Sequence, residues 1–303
     1  MSAESTPSFR AGPVWTQIAR TLLADAERLD LERFRAPGAA VNSRLASWDP
    51  GHRSHLFFKH LLLDTAAAEG DLFFECFDRI GRTDLGAPLT VEARGRRVDL
   101  DYLLAAQEAA FLRAADLGVR SVVEVGAGFG RTCHALVRNL PLERYTIVDL
   151  PETLAISRRY LAAVLAPEEL ARVRFVPNTD AATAAGADLW INIDSFAEME
   201  PAVVRAYLEL VAGGGRWFYC RNPVCKYTPE MIGAAAVAPA ALEAALRSGV
   251  CREVADIFSE SALEPHRRRA EDLYRPGPAW RVLRSEPSVP YRYYQHLLYG
   301  RGA

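Results

Sequence analysis

The residues best placed to do chemistry fall into two groups. The first lies in SVVEVGAGFGRTCHALVRNLPLERYTIVDLPETLAISRRYL, residues 121–161. It holds Glu124, Gly126, Ala127, Gly128 and Arg131, followed by Asp149 and Leu150. Lacking a Cβ, Gly126 and Gly128 let the chain turn sharply and let a ligand lie close to the main chain. The helix start behind them presents free N–H groups and a partial positive charge, which suit an anionic group. Asp149 stands 25 residues beyond Glu124, where a carboxylate can accept hydrogen bonds from both hydroxyls of a ribose. This group suits a nucleoside-containing cofactor.

The second group is Asp194, Ser195 and Glu198 in INIDSFAEM, with Asn178 and Asp180 ahead of it and His296 near the end of the chain. Asp194 has three roles open to it: holding a cofactor's amino group, taking a proton from a hydroxyl, or capping the helix that starts near Pro201. For Asn178 and Asp180, turn capping competes with ligand contact.

The elements that must position these residues follow from periodicity. Val122–Val125 reads as a buried parallel strand, residues 131–139 as a helix, and Tyr145–Val148 as a second strand ending at Asp149. From Gly126 the sixth position is Arg131, so the spacing is G-x-G-x-G and not the dinucleotide fingerprint. Third, fourth and fifth strands are expected at Arg172–Val176, Ala187–Ile193 and Arg216–Cys220, with Arg221-Asn222-Pro223 following the last. Parallel sheets bind ligands beyond the carboxyl ends of their strands, which puts Asp194 and Ser195 at the site.

A helix over Pro201–Val211 ends at Gly213-Gly214-Gly215, and mainly helical pattern fills 225–279, including Ala234–Arg247 and Ala255–Tyr274. Trp280–Ser285 and Arg292–Tyr299 form a closing strand pair. Ahead of the first strand come a disordered tail over residues 1–10, one or two amphipathic helices from Val14 to Phe34, and a turn and buried helix over Leu45–Asp71. A helical stretch to Ile80, a short hairpin at Leu89–Val98 and a helix at Asp99–Ala115 complete this part. The expected division is a helical accessory region, 1–98, that covers substrate, and a core, 99–303, with a helical lid inserted at about 225–279.

The run E-V-G-A-G-F-G resembles motif I of the class I S-adenosylmethionine-dependent methyltransferases, and Asp149-Leu150-Pro151-Glu152 is similar to the D-L-P segment of small-molecule O-methyltransferases. The resemblance implies an α/β, Rossmann-like sheet with a closing antiparallel strand pair, and S-adenosyl-L-methionine as cofactor. It implies Asp149 on the ribose, Leu150 against adenine, and a polar residue after the third strand, Asn178 or Asp180, on the adenine amino group. Glu124, Gly126, Ala127, Gly128, Arg131 and Ser195 complete the expected cofactor set. VEVGAGFGR, YTIVDLPETL and INIDSFAEM together resemble a narrower group, the bacterial sugar O-methyltransferases of natural-product clusters.

The implied reaction moves a methyl group to a hydroxyl of a deoxysugar or glycosylated natural product, leaving S-adenosyl-L-homocysteine. A sugar hydroxyl holds its proton tightly, so a base is needed. Asp194 is the first choice, Glu198 the second and His296 the third. A non-sugar acceptor, or cofactor binding without transfer, remains open because the fold does not fix the substrate.

Composition bounds these readings. The net charge is −2 over 303 residues and half of the residues are hydrophobic, as in a globular protein with no polyanion-binding face. No nucleic-acid or membrane partner is expected, no signal peptide is legible, and a cytoplasmic protein, which could be a homo-oligomer, is the expectation. The five cysteines include no C-x-x-C pair, which argues for buried free thiols. His52, His55 and His60 are close in sequence but lack a metal-binding spacing, so no metal is expected. His266-Arg267-Arg268-Arg269 reads as a solvated helix face, with a phosphate contact as the alternative.

Overall fold

The computed structural model describes residues 12, 16, 29–36, 55–184, 186–234 and 238–302. The expected tail at 1–10, most of the expected helices from Val14 onward, the turn at Asp49-Pro50-Gly51, and His52 lie outside the described residues, as does the side chain of His55.

A hairpin of β1 (Thr90–Ala93) and β2 (Arg96–Asp99) pairs antiparallel. The other described strands are β3 (Ser121–Val125), β4 (Arg144–Asp149), β5 (Val173–Pro177), β6 (Leu189–Ile193), β7 (Trp217–Pro223), β8 (Trp280–Pro287) and β9 (Tyr294–Arg301). They form one sheet in the order β5-β4-β3-β6-β7-β9-β8. β6 and β7 run parallel, whereas β9 is antiparallel to both β7 and β8. This is a Rossmann-like α/β sheet with a closing antiparallel pair, the architecture that the sequence resemblance implies. The runs VVEV and LWINI are buried throughout, the pattern of strands covered on both faces.

Contacts divide the chain into two compact units. One comprises Ala19–Val122 and Ala127–Phe175. It carries α1 (His55–Ala68), α2 (Asp71–Ile80), α3 (Leu100–Ala114), α4 (Arg131–Asn139), α5 (Pro151–Val164) and α6 (Pro167–Leu170). Its core includes Phe73, Phe77, Tyr102, Leu103, Leu136 and Tyr160. Asp99 starts α3 by accepting from the N–H groups of Asp101 (3.0 Å) and Tyr102 (3.3 Å), a side-chain cap. Proline begins α5 and α6, where its missing N–H costs no helical bond.

The other unit comprises Met1–Ile18, Val123–Gly126 and Val176–Ala303. It carries α7 (Pro201–Gly214), α8 (Pro239–Arg247) and α9 (Glu260–Leu273) around a core that includes Trp190, Phe196, Phe218, Tyr219, Tyr274 and Tyr299.

Several boundaries differ from the sequence expectation, each for a local reason. Arg221-Asn222-Pro223 belongs to β7 instead of following it, because these residues pair in register with His296, Gln295 and Tyr294 of β9. The expected helix at Ala255–Tyr274 begins only at Glu260, where the Ser259 hydroxyl accepts from the Ala262 N–H at 3.3 Å. Residues 31–35 form a turn, since the Asp30 carboxylate takes the Glu32 N–H at 3.0 Å and so competes with helix formation. His60 is exposed, and all five cysteines are buried free thiols. Among the described residues no helix is long and apolar enough to cross a membrane, and no group of three or more His, Cys, Asp or Glu side chains could hold a metal ion.

Candidate functional site

The strand-turn-helix segment is built by backbone geometry before any ligand is considered. Gly126, Gly128 and Gly130 all take positive φ (+76°, +60° and +96°), the region that favours glycine. A hydrogen bond from Gly130 N–H to the Ala127 carbonyl (3.0 Å) closes the turn. The Gly130 carbonyl then accepts from His134 N–H (2.9 Å), so α4 begins at once. The Gly128 N–H donates to Asp149 Oδ2 at 3.0 Å, and the Leu150 N–H donates to Oδ1 at 2.8 Å. Both carboxylate oxygens are therefore oriented by main chain. Burial pushes the Asp149 pKa up to about 7, against these N–H donors. Leu150 is half-buried and extended at the head of α5.

Arg131, expected on the cofactor, makes a bidentate pair with Glu108 (3.1 Å on both arms) and donates to the Asp101 carbonyl at 3.3 Å. Thr132 Oγ1 donates to the same carboxylate at 3.1 Å. Glu108 is fully buried, so this pair holds α3 to α4.

In the other unit, buried Glu124 precedes Gly126 at the end of β3. A Cβ on Gly126 would lie 2.1 Å from Ser195 Oγ, so the serine fills the space that glycine leaves. Ser195 Oγ donates to the Val125 carbonyl (3.2 Å) and accepts from Asn192 Nδ2 (2.6 Å). Asn192 Oδ1 in turn accepts from Asn222 Nδ2 (2.9 Å) and from the Phe196 N–H (3.2 Å). This network pins the turn after β6.

Asp194 is the conformational outlier of that turn. It sits at φ +65°, ψ −41°, a left-handed setting that costs a non-glycine residue strain and that clusters at functional sites. Its N–H continues the strand pairing to the Arg221 carbonyl (2.9 Å), while its exposed carboxylate accepts from Tyr294 OH at 2.6 Å. Arg221 lies over the Tyr294 ring at 5.0 Å and donates to Ser288 Oγ at 2.9 Å.

Glu198 is half-buried and lines a cavity of about 640 Å³ with Arg205, Ala244, Arg247, Ser248 and Arg252. Nearby Lys226 donates to the Ala197 carbonyl (2.8 Å) and to Ser248 Oγ (3.2 Å). Burial lowers its pKa, opposed by the charges of Glu198 and Asp194.

His296 lies within β9, 6% exposed, with Nδ1 2.8 Å from Tyr219 OH. Burial and the Arg221 and Arg284 charges drive its pKa well below the ordinary histidine value, so the ring is neutral. Asn178 is buried and Asp180 exposed in the 3₁₀ segment that follows β5.

The sequence reading thus finds Asp194 and Ser195 together at the end of β6, and Asp149 on the glycine turn. It missed Asn192 and Tyr294. A polar residue inside the apolar run INI was a usable signal for Asn192; nothing local marks Tyr294, which meets Asp194 only through the sheet.

No protein-family model matches the chain, and no curated protein matches it. Among solved structures it is similar to the mitomycin 7-O-methyltransferase MmcR, at 15% identity and a TM-score of 0.42 over 92% of this chain and 75% of that one. The pyocyanin biosynthetic protein PhzM gives 17% identity and a TM-score of 0.43 over 86% and 76%. The glycopeptide N-methyltransferase MtfA, complexed with S-adenosyl-L-methionine, gives 16% and 0.44 over 65% and 93%.

Proposed function

We propose that the chain is an S-adenosylmethionine-dependent O-methyltransferase acting on a hydroxyl of a deoxysugar or glycosylated natural product. The observation that carries the cofactor assignment is the Gly128–Asp149 hydrogen bond, which joins a three-glycine turn to a carboxylate aimed by main chain. That donor and acceptor set suits a nucleoside: Asp149 takes the ribose hydroxyls, Leu150 packs on adenine, and Asn178 or Asp180 meets the adenine amino group. The motif E-V-G-A-G-F-G supports the same cofactor, and the resemblance of VEVGAGFGR, YTIVDLPETL and INIDSFAEM together to sugar O-methyltransferases supports the sugar acceptor.

The bound cofactor supplies an electrophilic methyl group on a sulfonium, which leaves with the carbon–sulfur bonding pair on sulfur. The chain's part is to align the acceptor and to take its proton. Asp194 does the latter: Tyr294 holds Oδ1, and Oδ2 accepts the hydroxyl proton as the oxygen–methyl bond forms. Glu198, at the cavity, is the next candidate. His296 is third, because it is buried and already engaged by Tyr219. Residues 1–98 and the lid at 225–279 serve as substrate cover.

The test is calorimetric titration with S-adenosylhomocysteine, with and without magnesium and chelator, followed by labelled S-adenosylmethionine against a panel of glycosides and aglycones. Micromolar, chelator-insensitive binding and label in a glycoside hydroxyl support the reading. Label only in aglycones moves the acceptor class, and no binding removes the cofactor.

A further inference from the structure

We infer that residues 29–36 are a clamp on the glycine turn, with Phe34 and Arg35 as positioning residues for the cofactor; this rests on the reading of that turn as the S-adenosylmethionine site. The turn needs glycine where φ is positive, but nothing in a glycine turn calls for the large side chain of Phe129. That ring is 1% exposed and is caged. Phe34 meets it edge-on at 5.6 Å and Tyr160 at 4.7 Å, and Phe34 meets Tyr160 at 5.9 Å. Such edge-to-face contacts fix ring orientation as well as burying area. The Arg35 guanidinium completes the cage, 5.4 Å from the Phe129 centroid and 5.3 Å from that of Tyr102.

Arg35 is itself immobilised. It pairs with Asp99 and Asp101 and donates to the carbonyls of Thr83 and Leu85, both at 2.9 Å. Its N–H donates to the Gly86 carbonyl at 3.0 Å, and Arg159 donates to the Leu29 carbonyl at 2.9 Å. Burial opposes its charge, but the two carboxylates more than offset this and hold its pKa above the ordinary arginine value.

The cage also reaches the helices that flank the candidate site. Tyr102 OH lies 2.7 Å from Tyr160 OH on α5 and 2.7 Å from His134 Nδ1 on α4. α4 follows the glycine turn, and α5 follows Asp149 and Leu150. One segment, almost a hundred residues upstream, therefore touches Phe129, next to Gly128, and Tyr160 and Arg159 on the helix that follows Asp149. A displacement of Phe129 moves the Gly128 N–H beside it and so the carboxylate that it aims.

The experiment compares the full chain with Phe34→Ala, Phe34→Leu and, as a packing control, Phe73→Leu in the separate aromatic cluster of α2. S-adenosylhomocysteine affinity is measured by calorimetry at a temperature where circular dichroism shows every variant folded, and Tm is recorded alongside. Phe34→Ala should weaken binding roughly tenfold or more, the scale of a misplaced contact group. Phe34→Leu should fall between Phe34→Ala and the unmodified chain, and Phe73→Leu should lower Tm with Kd unchanged. Hydrogen exchange at residues 127–130 should quicken in Phe34→Leu but not in Phe73→Leu, a reading that survives if Phe34→Ala does not fold. Unchanged affinity and exchange in the folded Phe34 variants, with the unmodified chain binding, overturn the clamp alone. No binding by the unmodified chain overturns the cofactor reading and the clamp with it.

Discussion

The Tyr294 hydroxyl donates to the Asp194 carboxylate at 2.6 Å, joining residues one hundred positions apart. Asp194 is held by this bond on one side and by its N–H to the Arg221 carbonyl on the other, in a backbone setting that favours glycine. A strained residue with a fixed, exposed carboxylate is a reasonable proton acceptor. Asp194→Asn keeps the shape and removes the basic oxygen, so turnover should fall by about 10²–10⁴-fold with S-adenosylhomocysteine affinity unchanged. Tyr294→Phe leaves the carboxylate but frees its orientation and should cost turnover less than Asp194→Asn does. Equal losses of affinity and turnover in Asp194→Asn would make it a cofactor contact instead.

Arg131 tests the difference between a charge that serves a ligand and one that serves the fold. Its partner Glu108 is fully buried, and removing one member of a buried pair leaves an uncompensated charge. Arg131→Ala should therefore destabilise the chain by about 3–5 kcal/mol, read from chemical unfolding. A variant that unfolds normally but loses S-adenosylhomocysteine would return Arg131 to the cofactor set.

Much of the fold was legible because its signals are local. The apolar run VVEV, the glycine turn and the aspartate closing β4 lie within one short stretch, and each is dictated by its own residues. The closing strands were legible from alternation together with the methyltransferase resemblance. Partnerships made through the sheet were not legible: Tyr294 with Asp194, and Asn222 with Asn192, depend on register between distant strands. The pairing of Arg131 was hidden for the same reason. A basic residue at a helix start suits an anionic ligand, and only the packing of α3 on α4 shows that its charge is already matched.

Gly126 should prove irreplaceable through one neighbour. A Cβ there meets Ser195 Oγ at 2.1 Å and its Cβ at 2.5 Å, with φ at +76° as a further penalty. Gly126→Ala should lose about 1–3 kcal/mol of stability, as for overpacking of a filled site. Adding Ser195→Gly removes the clash but not the φ penalty, so the double variant should recover part of the loss. Additive losses in the double-mutant cycle would show that the clash is not the cause.

With Asp149 on the ribose as proposed, cofactor affinity should depend on pH with a definite sign. Its pKa is pushed up to about 7 by burial, so near neutrality a fraction of the unliganded chain carries a protonated carboxyl. Ribose hydroxyls donate to the ionised form, so binding favours the carboxylate and releases the proton. S-adenosylhomocysteine affinity should be flat above about pH 7 and weaken by up to roughly tenfold per unit below it, about 1.4 kcal/mol each. Calorimetry in buffers of different ionisation enthalpy should count the released proton. Stability runs the other way. With its folded pKa above the unfolded one, Asp149 binds more protons in the native chain between about pH 4 and 7, and its contribution is lost as pH rises through 7. Asp149→Asn, whose amide nitrogen cannot accept the second of the two main-chain N–H groups, should weaken binding and flatten its pH profile. A wild-type profile already flat from roughly pH 5 to 8 would remove Asp149 from the ribose.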